Sequence, residues 1–127
     1  MSASTPDATH APAIAQARRW YWQRISAMVL ALCVLIHLAV MVYAVRGGLS
    51  AAEILGRTQG NWAFGAFYAI FVVACAVHVP VGVANIAREW WGLGERPARA
   101  LSLALALLLL VAGLRAVLAV VAPGDAA

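Results

Sequence analysis

Two histidines, His37 and His78, lie inside long apolar segments of this 127-residue chain. An ionisable side chain in the hydrocarbon region of a membrane is costly, and it is usually kept there by a partner and a function. Neutral imidazole in a helical bundle is a common axial ligand of haem iron. The pair therefore predicts a b-type haem site. The alternative for each histidine is a neutral side chain hydrogen-bonded across two helices.

The segments around the histidines predict three transmembrane helices. Hydrophobic residues make up 65% of the chain and charged residues 11%, whereas water-soluble domains are near half apolar and a quarter charged. The apolar segments cover about 25–45, 62–87 and 100–121, and each is long enough to cross a hydrocarbon core of about 30 Å. We expect an all-α membrane protein that forms part of a larger helical bundle with a second anchor chain.

The same pattern predicts the domain organisation and the orientation of the chain. Residues 16–122 should form the three-helix anchor, residues 1–15 a flexible amino-terminal tail, and residues 123–127 a carboxy-terminal tail. Arginines gather on one side of the predicted membrane, which indicates a cytoplasmic amino terminus; they are Arg18, Arg19, Arg24, Arg88, Arg96 and Arg99, against Arg46 and Arg57 on the other side. Because these arginines flank the apolar segments, they indicate contact with lipid and not with nucleic acid.

The depths of the two histidines bear on whether one haem can be held by both. Counted from Arg24 and Arg88, His37 is about 20 Å deep and His78 about 15 Å deep, and counting from the outer edge widens the gap to about 10 Å. Two axial ligands of one haem need nearly the same level. The counts favour two haems, each completed by a second chain.

A second set of candidate residues lies at the cytoplasmic mouth of the first apolar segment. Arg24 and Ser26 offer a cation and a hydroxyl near the lipid headgroups, with Trp20 nearby. Such groups can bind a quinone carbonyl. The alternative for Arg24 is an ordinary arginine whose charged end reaches the membrane surface.

Two further residues are candidates for haem contact. Gly82 lies one turn from His78, where a small residue leaves room for a flat macrocycle or allows close helix packing. Arg115 is about 22 Å into the third apolar segment. Its charge can pair with a haem propionate, or it can reach the outer interface.

Two short motifs resemble the cytochrome b anchor subunits of succinate dehydrogenase and fumarate reductase. Residues 23–27 (QRISA) are similar to the H/Q-R-x-S-G/A segment that starts the first helix in that family. Residues 78–82 (HVPVG) are similar to the H-x-x-x-G segment near the end of the second helix. Gln23 stands where a histidine is often found. The resemblance covers roughly residues 20–120 and agrees with three helices and a cytoplasmic amino terminus.

The resemblance implies roles for the candidate residues. His78 takes the place of the family's haem b ligand, and His37 resembles the first-helix ligand of the members that bind two haems. Arg24 and Ser26 take the place of the quinone-site arginine and its neighbouring serine. Trp20 falls about where some members carry a serine that contacts the quinone.

The implied function is a haem b-binding anchor in a bacterial inner membrane. It would dock a flavoprotein subunit and an iron–sulfur subunit and pass electrons between iron–sulfur clusters and a membrane quinone, with a second anchor chain or a second copy of itself. The chain alone would have no dehydrogenase activity, because it has no flavin or cluster motif. One alternative is a haem-free structural anchor or assembly partner. Another is the cytochrome b subunit of a hydrogenase or formate dehydrogenase, which usually has more histidines and a fourth helix.

Overall fold

The computed structural model describes residues 10–124, which form four helices and no strand. They are α1 (His10–Gly47), α2 (Ala51–Thr58), α3 (Trp62–Trp91) and α4 (Glu95–Val121). The helices α1, α3 and α4 are each long and apolar enough to cross a membrane. The predicted all-α fold with three membrane spans is confirmed, and each predicted apolar segment lies within one of these helices.

The amino-terminal helix is longer than its apolar segment. α1 begins at His10, although the apolar segment begins near residue 25. Hydropathy detects only the apolar part of a helix, and the preceding alanines, glutamine and arginines also favour helical structure. Residues 10–15 are therefore helical, whereas residues 1–9 of the predicted flexible tail lie outside the described residues. With 38 residues, α1 is about 57 Å long and extends well beyond a hydrocarbon core of about 30 Å.

The last helix that the structure describes is α4. α4 ends at Val121, and Pro123 and Gly124 are not helical. The remaining residues of the predicted tail, 125–127, lie outside the described part of the chain.

The short helix α2 joins α1 to α3 on the outer side of the bundle and is fixed at both ends. Gly48 ends α1 with a φ of 100°, a conformation that favours glycine. Ser50 and Glu53 then form a capping box at the start of α2. Hydrogen bonds from the Ser50 hydroxyl and backbone N–H hold the pKa of the Glu53 carboxyl below its ordinary value. At the other end, the Thr58 hydroxyl is 2.7 Å from the carbonyl oxygen of Val120, which ties α2 to α4.

The central helix of the bundle is α3, which packs against both α1 and α4. Its contacts with α4 use glycines: Gly65 faces Val121, and Gly113 faces Val72. Alanines dominate the buried residues, which include Ala74, Ala84, Ala87 and Ala98. Small residues let helix backbones approach closely, which is how helices associate where lipid removes the hydrophobic driving force.

Large apolar side chains point outward over most of the membrane-spanning surface. Leu32, Leu35, Tyr43 and Leu108 are each more than 60% exposed in the single chain. Exposure of such a surface to water is unfavourable, whereas contact with lipid or with another apolar chain is not. The fold is that of a multi-pass membrane protein.

Candidate functional site

Two side-chain contacts and one close approach to a glycine set the register between α1 and α3. His37 meets Tyr68, Ser26 meets His78, and Gln23 lies opposite Gly82. The helices run antiparallel, since rising numbers in α1 meet falling numbers in α3. The level of each histidine is therefore marked by a residue of the other helix.

This register separates the two histidines along the bundle. His37 is level with Tyr68, which is ten residues from His78 in α3. At 1.5 Å per residue, the two imidazoles lie about 15 Å apart along the helix axis. The separation is larger than the difference in depth that the sequence predicts. Axial nitrogens of one haem iron lie on opposite sides of the same atom, so His37 and His78 of one chain cannot both bind the same haem.

The surroundings of His78 include a buried hydroxyl on α1. Ser26 is only 5% exposed, and its hydroxyl oxygen is 3.3 Å from Nδ1 of His78. The same oxygen lies 3.0 Å from the carbonyl oxygen of Gln23, one turn earlier in α1. Ala74 is buried beside this contact. A Cβ on Gly82 would lie 3.6 Å from Nε2 of Gln23, an ordinary van der Waals distance.

The surroundings of His37 are aromatic and apolar. The Tyr68 hydroxyl is 2.8 Å from Nδ1 of His37. The rings of Tyr68 and Phe71 meet the imidazole edge-on, with centroids 5.7 and 5.9 Å away. His37 also lines a cavity of about 640 Å³ between α1, α2, α3 and α4, whose surface is almost entirely apolar. Ligand pockets commonly have this size and an apolar lining with few polar groups.

Both histidines thus use the same ring nitrogen for a hydroxyl partner on the facing helix. Within the described residues, Nε2 of neither histidine has a hydrogen-bond partner. Histidines that bind metal almost always hydrogen-bond through their other ring nitrogen, which fixes the tautomer and the ring orientation. The arrangement of His37 and His78 therefore fits axial ligation through Nε2.

A polar cavity of about 690 Å³ lies between α1, α3 and the first residue of α4 at the arginine-rich end of the bundle, and the ion-paired Glu95 is part of its lining. Its polar lining residues include Arg19, Trp20, Gln23, Arg24, Asn85 and Arg88. The guanidinium of Arg24 lies 5.2 Å from the Trp20 ring, a cation–π contact. Oε1 of Gln23 is buried with no hydrogen-bond partner among the described residues. The cavity can accept a ligand that carries both apolar rings and carbonyl oxygens.

The structure separates the three residues predicted to bind quinone. Arg24 and Trp20 line the polar cavity together. Ser26 does not line it, because its hydroxyl turns toward His78.

Arg115 lies on an exposed face of α4. The contact between Gly113 and Val72 places it close to the level of Ile70 and therefore near the level of His37 and Tyr68. Among the described residues, the ion pair found is Arg88 with Glu95, and Arg115 has no acidic partner. Its pairing with a haem propionate stays a prediction.

Two contacts at the site were not foreseen from the sequence. Tyr68 is the partner of His37, and Ser26 is the partner of His78. The sequence signal for these contacts is a hydroxyl side chain that lies ten or eleven residues from the histidine of the same apolar segment. That signal becomes specific only when the register between the helices is known.

Comparison with known proteins gives one finding. A family model described as the succinate dehydrogenase/fumarate reductase transmembrane subunit matches residues 5–119. No curated protein and no solved structure matches the chain.

Proposed function

Because the chain belongs to the family of succinate dehydrogenase/fumarate reductase transmembrane subunits, we propose that it is a haem b-binding anchor of such a complex. It passes electrons between the iron–sulfur clusters of a partner and a membrane quinone. The membrane-anchor role follows from the family and from the three spans. Haem binding, electron transfer and location in a bacterial inner membrane are the proposal.

The single observation that carries haem binding is the matched environment of the two histidines. Each Nδ1 is occupied by a hydroxyl across the α1–α3 interface. Each Nε2 is left for iron, and the two levels differ by about 15 Å along the axis. The chain therefore offers one axial ligand to each of two haems, and a partner chain supplies the others. A bound haem supplies reversible one-electron chemistry at its iron.

The outer site is formed around His37. Its apolar cavity of about 640 Å³ would exclude water from a bound haem, and Tyr68 would fix the imidazole ring. Arg115, near the same level, supplies positive charge for a propionate. An arginine at this depth is stabilised by an anionic partner.

The quinone site is the polar cavity at the cytoplasmic end. The Arg24 guanidinium donates a hydrogen bond to a quinone carbonyl, and the Trp20 ring beneath it limits its movement. Hydrogen bonds from charged donors contribute about 1.5–3 kcal/mol. The cavity lies at the arginine-rich end, where an iron–sulfur subunit on the cytoplasmic face delivers electrons.

The remaining partners follow from the same proposal. A flavoprotein and an iron–sulfur subunit dock on the cytoplasmic face, and a second anchor chain or a second copy covers part of the exposed apolar surface. Lipid covers the remainder.

The test is a reduced-minus-oxidised spectrum of the purified membrane complex, together with the ratio of haem to this chain. His37→Ala and His78→Ala should each remove one b-type signal and leave the other. His10→Ala is the matched control, since His10 precedes the apolar segments, and it should change neither signal. Unchanged spectra in both membrane variants would favour a haem-free structural anchor. Loss of the same single haem signal in both variants would contradict the two-site arrangement.

A further inference from the structure

The hydrogen bonds of Ser26 show which way its hydroxyl is oriented. Its oxygen contacts the Gln23 carbonyl oxygen at 3.0 Å and Nδ1 of His78 at 3.3 Å. A hydroxyl has one proton, and a carbonyl oxygen only accepts hydrogen bonds. The proton therefore goes to Gln23, and the Ser26 oxygen accepts a hydrogen bond from Nδ1–H of His78.

We propose that Ser26 is a positioning residue for His78. It holds the imidazole in the Nδ1–H tautomer, so that Nε2 is unprotonated and oriented as the ligand of the inner haem, which is the proposed haem at the level of His78. The inference rests on the proposed function, because it assumes that His78 binds haem. It assigns Ser26 a role different from the quinone contact that the sequence predicts.

Burial separates Ser26 from the quinone site. Its side chain lies in the α1–α3 interface and is 5% exposed, whereas Arg24 and Trp20 line the polar cavity. The hydroxyl proton is already donated to the Gln23 carbonyl. Ser26 therefore has neither the access nor the donor that a quinone carbonyl requires.

The contact should tune the haem. An acceptor on Nδ1–H raises the basicity of a ligating imidazole. A more basic ligand stabilises ferric iron more than ferrous iron, because the ferric ion carries the larger charge. Loss of the acceptor should therefore raise the midpoint potential of the inner haem. A tenfold change in the preference for ferric over ferrous haem corresponds to a shift of 59 mV for one electron.

The experiment is a redox titration of the purified complex containing the full chain, followed by absorption of the two b-type signals. Ser26→Ala should shift the potential of the His78-dependent haem upward and leave the His37-dependent haem unchanged. Ser26→Thr keeps a hydroxyl and should restore the wild-type potential. Ser102→Ala is the control, since Ser102 also lies in the cytoplasmic half of the bundle but is not a partner of His78 among the described residues.

Three results would overturn the inference. One is an unchanged potential in Ser26→Ala. Another is loss of quinone reduction in that variant with both potentials unaltered, which would make Ser26 a quinone contact. The third applies where Ser26→Ala assembles without the inner haem, and it is loss of the inner haem in Ser26→Thr as well. Retention of that haem in Ser26→Thr supports the inference. The proposed function fails independently, by persistence of both haem signals in His78→Ala.

Discussion

The contact between α3 and α4 beside His37 should not tolerate a side chain at Gly113. A Cβ at this position would lie 2.6 and 2.8 Å from the two γ-carbons of Val72. Carbon atoms in favourable contact are about 3.5–4.0 Å apart, so Gly113→Ala requires a separation of the helices by about 1 Å or a new Val72 rotamer. Overpacking of this kind costs about 1–3 kcal/mol.

The assay is the free energy of unfolding of the chain in detergent, and the outer haem signal of the purified complex is a second measurement. Because Gly113 and Val72 both line the His37 cavity, Gly113→Ala should reduce the outer haem signal more than the inner one. Val72→Ala on the same chain should recover part of the lost stability, since residues in contact couple by about 0.5–3 kcal/mol.

The matched control is Gly56→Ala in α2. A Cβ at Gly56 would meet nothing within 4 Å, and alanine favours a helix by up to about 1 kcal/mol over glycine. This variant should be as stable as the wild type or more so. The steric argument would be refuted if Gly113→Ala were as stable as Gly56→Ala, or if Val72→Ala gave no recovery.

Four other predictions test the two ends of the bundle. Arg24→Ala should reduce kcat/KM for quinone about 10- to 100-fold, as loss of a charged hydrogen bond predicts, while electron transfer from succinate to a soluble artificial acceptor is unchanged; equal loss of both activities would indicate misassembly. Gly82→Ala should leave the chain folded, because its Cβ would meet Gln23 at 3.6 Å; loss of only the inner haem signal would then show that the macrocycle needs this space. Ser50→Ala should destabilise α2 by about 1 kcal/mol, seen as faster hydrogen exchange in residues 51–58. The lowered pKa of Glu53 means that its stabilisation is present at neutral pH and is lost as pH falls through the folded-state pKa. The protection of the same residues against exchange, relative to the unfolded chain at each pH, should therefore fall in acid; pH-independent protection would contradict this.

The number of spans was predictable because membrane crossing depends on the length and apolarity of a segment, which are local properties of the sequence. The start of α1 was not, since its first fifteen residues are helical without being apolar. The depth of the histidines was only partly predictable. Counting from the ends of the segments gave differences of about 5 to 10 Å, because those ends do not mark a common plane. The contact of His37 with Tyr68 supplies the true reference.

The roles of the hydroxyls show a second limit of sequence reasoning. Ser26 and Arg24 are two residues apart, and a motif that contains both suggests one shared site. Residues two apart on a helix point in directions about 200° apart, so they face different neighbours. Arg24 accordingly lines the polar cavity, whereas Ser26 faces His78. The contacts that each residue makes depend on which helix packs on which face.

The separation of the two histidines restricts what the second anchor chain can be. In the proposed two-haem arrangement each haem needs a second ligand at the level of its first, so the partner would carry histidines at two depths about 15 Å apart. A second copy related by a two-fold axis along the membrane normal meets this requirement automatically, because such a rotation preserves depth and pairs His37 with His37 and His78 with His78. A homologous chain with the same spacing meets it equally well. An axis in the membrane plane would invert one chain and place its arginine-rich end on the outer side, against the charge distribution that orients these helices. The proposed two-haem arrangement therefore predicts a partner with the same orientation as this chain.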